Sequence, residues 1–221
     1  MGRDNPPKRV HKPRFGEVSI RDRGRLPHWE AEGATYFVTF RLADALPESV
    51  LKSYEFEWAD IIEGAERQAR PLTTAERKHL DELFSERIND YLDRGAGACH
   101  LCRPELAWMV ADALQFFHSQ RYRLLAWCVM PNHVHVVFAP FTGHGLAEIL
   151  HSWKSFTSKQ ANTLLGSVGQ FWEREYYDHL VRDEEDLARA IDYVRRNPER
   201  AGLKNWQWVW VDPAFGQTSA P

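Results

Sequence analysis

The chain has 221 residues, 43% of them hydrophobic and 13% aromatic, which is enough for one domain with additions and excludes global disorder. Its apolar runs are far shorter than the roughly 20 residues a membrane helix needs, its polar start lacks the apolar stretch of a secretory signal, and three cysteines exclude a disulfide scaffold. Net charge is −3, yet the first 27 residues hold eight Lys/Arg against three acids, so a basic arm precedes an acidic body.

In chain order, residues 1–27 read as a flexible arm. Residues 34–42 (ATYFVTFRL) follow Gly33 and are rich in β-branched and aromatic side chains, which predicts a strand. Residues 48–95 read as a helical insertion. Within it Thr73-x-x-Glu76 forms a capping box, an apolar helical period runs through Leu80, Leu83, Phe84, Ile88, Tyr91 and Leu92, and Gly95 suits the stop. A helix after Pro104 carries Leu106, Val110, Ala113, Leu114 and Phe117 on one stripe. Residues 122–130 and 133–139 read as two strands joined at Pro131-Asn132. Gly145 opens a helix with Leu146, Ile149, Leu150, Trp153 and Phe156 toward the core. A short strand over 176–181 and a helix over 184–197, stopped by Pro198, follow. Trp206, Trp208 and Trp210 alternate in the tail, which reads as an edge strand or a packing flap. Without the insertion the order is βαββαβ plus a terminal helix. That is the α+β, ferredoxin-like plan: an antiparallel sheet with helices on one face and the other face open to a ligand.

The chemistry centres on His133-Val134-His135. Strand side chains alternate, so both imidazoles project to one side and can chelate a divalent cation, which then needs a further ligand. Taken alone, the pattern reads more readily as two exposed or hydrogen-bonded strand histidines. On the last helix Tyr193 and Asn197 stand one turn apart on one face. Asn197 can offer a carbonyl oxygen as the missing ligand, and Tyr193 a hydroxyl that attacks phosphorus with a metal's help. By spacing alone they also fit a half-buried helix tyrosine and a helix-ending asparagine.

The string WCVMPNHVHVVF (127–138) and the stretch AIDYVRRNPERAGL (190–203) together resemble the REP-associated tyrosine transposases, relatives of the single-tyrosine HUH transposases. Leu26-Pro-His-Trp29, residues 33–40, Phe171-Trp172 and Tyr177-Asp-His179 resemble further parts of that family in the same order. The resemblance implies an HUH transposase domain over 28–203 with a tail over 204–221. It implies a metal-dependent enzyme that cleaves and rejoins single-stranded DNA at hairpins of short palindromic repeats, through a 5′-phosphotyrosine intermediate. It makes His133 and His135 metal-binding catalytic residues, Tyr193 the nucleophile and Asn197 the third metal ligand. Mg²⁺ or Mn²⁺ is the implied cofactor, the enzyme acts as a monomer or homodimer, and a cytoplasmic, nucleoid-associated location follows.

Other residues are candidates for DNA contact: Lys154 and Lys159 on the helix after the histidine strand, Arg195 and Arg196 on the nucleophile helix, and Arg25, His28 and Trp29 at the end of the arm. Tyr176 and Tyr177 compete for the nucleophile's role, although alternation sends only one of them to the active face. Cys99-x-x-Cys102 has no second ligand pair for a structural zinc. Two readings from other classes stand beside the transposase: a non-catalytic module that binds hairpin or single-stranded nucleic acid, and a hydrolase that uses the histidines with water.

Overall fold

The computed structural model describes residues 19–22, 27–30, 33–82 and 88–215. The chain begins with two short antiparallel strands, β1 (Ser19–Asp22) and β2 (Pro27–Glu30), paired as a ribbon. Paired backbone therefore occupies part of what the composition reads as a flexible arm. Strand β3 (Tyr36–Arg41) follows, then the insertion as α1 (Glu48–Arg67), α2 (Thr74–Glu82) and α3 (Asn89–Asp93). Helix α4 (Pro104–Gln115), the hairpin of β4 (Tyr122–Val129) and β5 (His133–Pro140), α5 (Leu146–Leu165), β6 (Tyr177–Leu180), α6 (Glu184–Arg200) and β7 (Val209–Val211) complete it.

The main sheet has the order β6-β3-β5-β4-β7, antiparallel throughout. Its first four strands reproduce the ferredoxin-like order, and the tryptophan-rich tail adds the edge strand β7. The Trp206 indole donates to the Val129 carbonyl and the Val129 amide to the Trp208 carbonyl, so the tail is bonded to β4 rather than draped over it. The capping box forms as read: the Glu76 amide donates to Thr73 Oγ1 (3.1 Å) and the Thr73 amide to Glu76 Oε2 (2.7 Å).

The two faces of the sheet are built differently. Val134, Val136 and Phe138 point to the side covered by α4 and α5, where Phe138 meets Trp153 edge-on at 4.9 Å. The Tyr122 hydroxyl donates to the Leu114 carbonyl and accepts from the Trp153 indole, stapling β4, α4 and α5 together. On the opposite side α6 lies across β4, β5 and β7. The face expected to be open is thus covered along this helix, because Ile191 and Val194 give α6 an apolar stripe that must be buried.

Two local expectations need correction. Pro198 does not stop α6, which runs on to Arg200. A proline so near the end forfeits one amide donor while the chain closes with its own bonds, Ala201 amide to Asn197 carbonyl and Leu203 amide to Pro198 carbonyl. Phe156 is half exposed rather than in the core, since the buried stripe of α5 passes through Trp153, Thr157 and Ala161.

Candidate active site

His133 and His135 leave β5 on the α6 side of the sheet. Their ladder partners on β3 are Arg41 and Thr39, and Cys128 of β4 flanks His135. Both imidazoles are fully buried, with their Nε2 atoms 2.9 Å apart. The outer nitrogens are held from behind. His135 Nδ1 lies 2.7 Å from Thr39 Oγ1, and His133 Nδ1 lies 2.7 Å from Asn132 Oδ1. Asn132 Nδ2 donates to the Ala96 carbonyl at 2.8 Å, so its oxygen is the atom that faces His133. A carbonyl oxygen only accepts. His133 Nδ1 therefore carries the proton and Nε2 presents a lone pair.

Burial holds both rings neutral: His133 is pushed down to about 3, and His135 well below its ordinary value, with His133 beside it adding to the effect. Two facing nitrogen lone pairs repel unless a proton or a cation lies between them. Two ligand nitrogens about 2.1 Å from one ion, at right angles, stand about 3.0 Å apart, so the observed spacing fits a shared divalent cation.

Two oxygens approach from other elements. Asp93, the last residue of α3, puts Oδ1 at 3.7 Å from His133 Nε2, and its ligand atom and those of the two histidines all lie within 4.8 Å of one another. Burial, aided by Asp90, raises its carboxyl to about 6, against the pull of Asn197 and Arg200. Asn197 on α6 is fully buried. Its Nδ2 lies 3.5 Å from Asp93 Oδ1, and its Oδ1 is buried with no hydrogen-bond partner. Tyr193, one turn earlier, meets His135 edge-on with ring centroids 5.2 Å apart and Phe37 at 5.6 Å. Its hydroxyl is likewise buried without a partner. Burial first, then Asp93 and Cys128, raise the phenol well above its ordinary value, while Arg200, whose guanidinium stands 5.4 Å from the ring, and the Asn197 side chain one turn on oppose that rise. A buried polar atom with no partner costs about 1–3 kcal/mol. The two such atoms on this face of α6 belong to the residues singled out from the spacing Tyr-x-x-x-Asn.

Asp93 escaped the sequence reading. It stands forty positions before His133, in a segment whose pattern signals only a helix, and nothing local marks it as a ligand. The fold brings it to the histidines by returning the insertion past the turn that precedes them.

Helix α6 is pinned at its N-terminal turn. Asp183 caps it by accepting from the Asp186 amide (2.8 Å), and His179 of β6 bonds Asp186 Oδ2 at 2.9 Å, which holds Asp186 well below the usual carboxylate range despite its burial. His179 thus acts on the helix. Tyr177, paired with Thr39, is the member of the Tyr176–Tyr177 pair that faces α6.

The proposed DNA-contacting residues are scattered. Lys154 is half-buried, donates to the Arg174 carbonyl at 2.7 Å and stands over the Tyr176 ring at 5.7 Å; burial lowers it to about 8 against Glu173 and Glu175. Lys159 is exposed. Arg195 and Arg196 are exposed and both reach Asp192. His28 and Trp29 lie in β2, and Arg25 lies outside the described residues. Cys99 donates its thiol to the Gly95 carbonyl and Cys102 is exposed; among the described residues neither belongs to a metal-binding group.

Residues 109–197 match the family described as "Transposase IS200 like". That segment contains His133, His135, Tyr193 and Asn197, and excludes Asp93. A protein of Haemophilus influenzae named as a REP-associated tyrosine transposase is 26% identical over 101 residues, covering 39% of this chain and 57% of that protein. The REP-associated tyrosine transposase of Escherichia coli K12 is 24% identical over 94 residues, covering 42% and 54%. The chain thus spans a little over half the length of the curated relatives it matches. A solved REP-associated tyrosine transposase bound to a REP hairpin aligns with 80% of this chain and 76% of its own at 14% identity and a TM-score of 0.44. A transposase of Deinococcus radiodurans aligns with 74% and 89% at 13% identity and a TM-score of 0.29. The resemblance read from the sequence is borne out by the family match and the curated relatives. No helix among the described residues is long and apolar enough to cross a membrane.

Proposed function

We propose that this relative of the REP-associated tyrosine transposases is a divalent-metal-dependent enzyme that cleaves and rejoins single-stranded DNA at palindromic hairpins, with Tyr193 as nucleophile. The observation that carries the reading is that Tyr193 Oη and Asn197 Oδ1, both buried on α6 without a hydrogen-bond partner, lie on the face of the sheet that bears a pair of imidazoles with Nε2 atoms 2.9 Å apart, the Tyr193 ring 5.2 Å from that of His135. The palindromic substrate comes from the sequence resemblance and from the name shared by the curated relatives.

His133, His135, Asp93 and Asn197 would hold the cation, a mixed nitrogen–oxygen set suited to Mg²⁺ or Mn²⁺. When bound, it supplies positive charge that neutralises the scissile phosphate and favours the phenolate. The chain's own residues do the rest. Burial of the His133 and His135 rings keeps them neutral and available as ligands. Helix α6, clamped through Asp186 and His179, holds the phenol of Tyr193 over His135. Tyr193 Oη forms a bond to phosphorus as the bond to the 3′ oxygen breaks. The phenol loses its proton and the leaving oxygen gains one, giving a 5′-phosphotyrosine and a free 3′-OH. Attack on the adduct by a 3′-OH reverses the exchange and rejoins DNA without ATP.

The test is a palindromic single-stranded oligonucleotide incubated with the protein and Mn²⁺, then resolved on a denaturing gel. The reading expects a covalent protein–DNA band that disappears in Tyr193→Phe. Cleavage with no adduct would make the protein a hydrolase, and an intact oligonucleotide a binding module. An adduct retained in Tyr193→Phe and lost in Tyr177→Phe would move the nucleophile to β6.

A further inference from the structure

The insertion does more than supply Asp93. Its return loop, residues 94–99, is bonded to the turn that launches the histidine strand. Asn132 sits in that turn, fully buried, and its side chain works in both directions. Nδ2 donates to the Ala96 carbonyl at 2.8 Å, and Oδ1 accepts from His133 Nδ1 at 2.7 Å. The turn's backbone is fixed as well: the Leu42 amide donates to the Asn132 carbonyl (2.8 Å) and the Leu101 amide to the Pro131 carbonyl (3.0 Å).

The loop is held from its other side by Asp44, just past β3. The Ala98 amide donates to Asp44 Oδ2 at 2.7 Å. Gly97 stands at φ +82°, and a Cβ there would come within 2.6 Å of the Asp44 carbonyl oxygen. Only glycine meets both conditions. The path is therefore continuous: Asp44 to residues 97–98, Ala96 to Asn132, and Asn132 to His133, with Asp93 three residues upstream of Ala96.

We propose that Asn132 is a positioning residue that joins the helical insertion to the metal site, so that the Asp93 carboxylate and the Nε2 lone pair of His133 are presented as one hydrogen-bonded unit. The inference deepens the metal-site reading above and rests on it. Partners behind a ligating imidazole orient the ring, and losing them typically weakens metal binding by about 10–100-fold. Here the same side chain also fixes the segment bearing the carboxylate. It follows that a change in the loop, away from both histidines, weakens the site.

The test is Mn²⁺ affinity of the otherwise unaltered full chain, without DNA, by calorimetry or by the free-ion electron paramagnetic resonance signal, with far-ultraviolet circular dichroism as the check on folding. Asn132→Leu removes both bonds and is expected to weaken Mn²⁺ binding by about 10–100-fold. Asn132→Asp keeps an acceptor for His133 but sets a carboxylate against the Ala96 carbonyl, so it is expected to fall between Asn132→Leu and wild type. Gly97→Ala is expected to weaken binding about 10-fold through the displaced loop. Asp44→Ala, at an exposed position, is expected to cost a few-fold. Folded variants that bind Mn²⁺ within twofold of wild type would overturn the coupling. Wild type that binds no Mn²⁺, or His133→Ala that binds it equally well, would instead sink the metal-site reading itself.

Discussion

The two faces of one sheet have opposite hydrogen-bond economies. Toward α4 and α5, the Tyr122 hydroxyl, the Trp153 and Trp172 indoles and the Thr157 hydroxyl all have partners, whereas the Trp127 indole nitrogen has none. Toward α6, the Tyr193 hydroxyl and the Asn197 carbonyl oxygen are buried without partners beside two neutral imidazoles. The first face uses polar atoms to lock packing. The second leaves two of them unpaired, at a loss of about 1–3 kcal/mol each, as the proposed role of the site in binding a cation and DNA would require. Stability and activity should therefore respond in opposite senses on the two sides.

The largest effect tests that contrast at Tyr193. Tyr193→Phe is expected to reduce strand cleavage by a factor on the order of 10⁴ or more, while its melting temperature stays level or rises, because an orphaned buried hydroxyl is gone. A clear fall in melting temperature would show that the hydroxyl is bonded within the fold. On the other face, Phe138→Ala should cost about 3–5 kcal/mol in urea unfolding, since Trp153 and Tyr122 pack against that ring. Tyr122→Phe is the matched partner of Tyr193→Phe: it removes a satisfied hydroxyl and strands the Trp153 indole, for a loss of about 1–3 kcal/mol. Equal responses of the two phenylalanine variants would erase the difference between the faces.

Acid titration sharpens the same point in metal-stripped protein. Both imidazoles are depressed in the fold, so their contribution to stability is complete above about pH 6.5 and is lost as pH falls below that, toward about 3 for His133. Asp93 is raised to about 6, so its contribution has the opposite sign and offsets one histidine between about pH 6 and 4. The net slope there is at most about 1.4 kcal/mol per pH unit, and Asp93→Asn should nearly double it. Urea midpoints at pH 6 and pH 4.5 measure this, and an unchanged slope would mean that Asp93 does not titrate against the imidazoles.

Much of this site is legible in the sequence. His133 and His135 share a face because strands alternate, and Tyr193 and Asn197 share one because helices turn every 3.6 residues. Both facts are local periodicity, as are the capping box of α2 and the βαββαβ order. What stayed hidden depends on chain paths that local pattern does not encode. Phe156 is half exposed because the buried stripe of α5 runs elsewhere, and the tail joins β4 through hydrogen bonds made across the fold.

The linear chain determined which residues could do chemistry, since residue type and short-range spacing set which atoms leave an element together. Tertiary structure alone decided which of them meet. It laid α6 over the histidine face and brought Asp93 back from the insertion. It also set Asn132 between the loop and His133, because contacts between residues far apart in the chain are chosen by how buried surfaces and their hydrogen bonds are satisfied together.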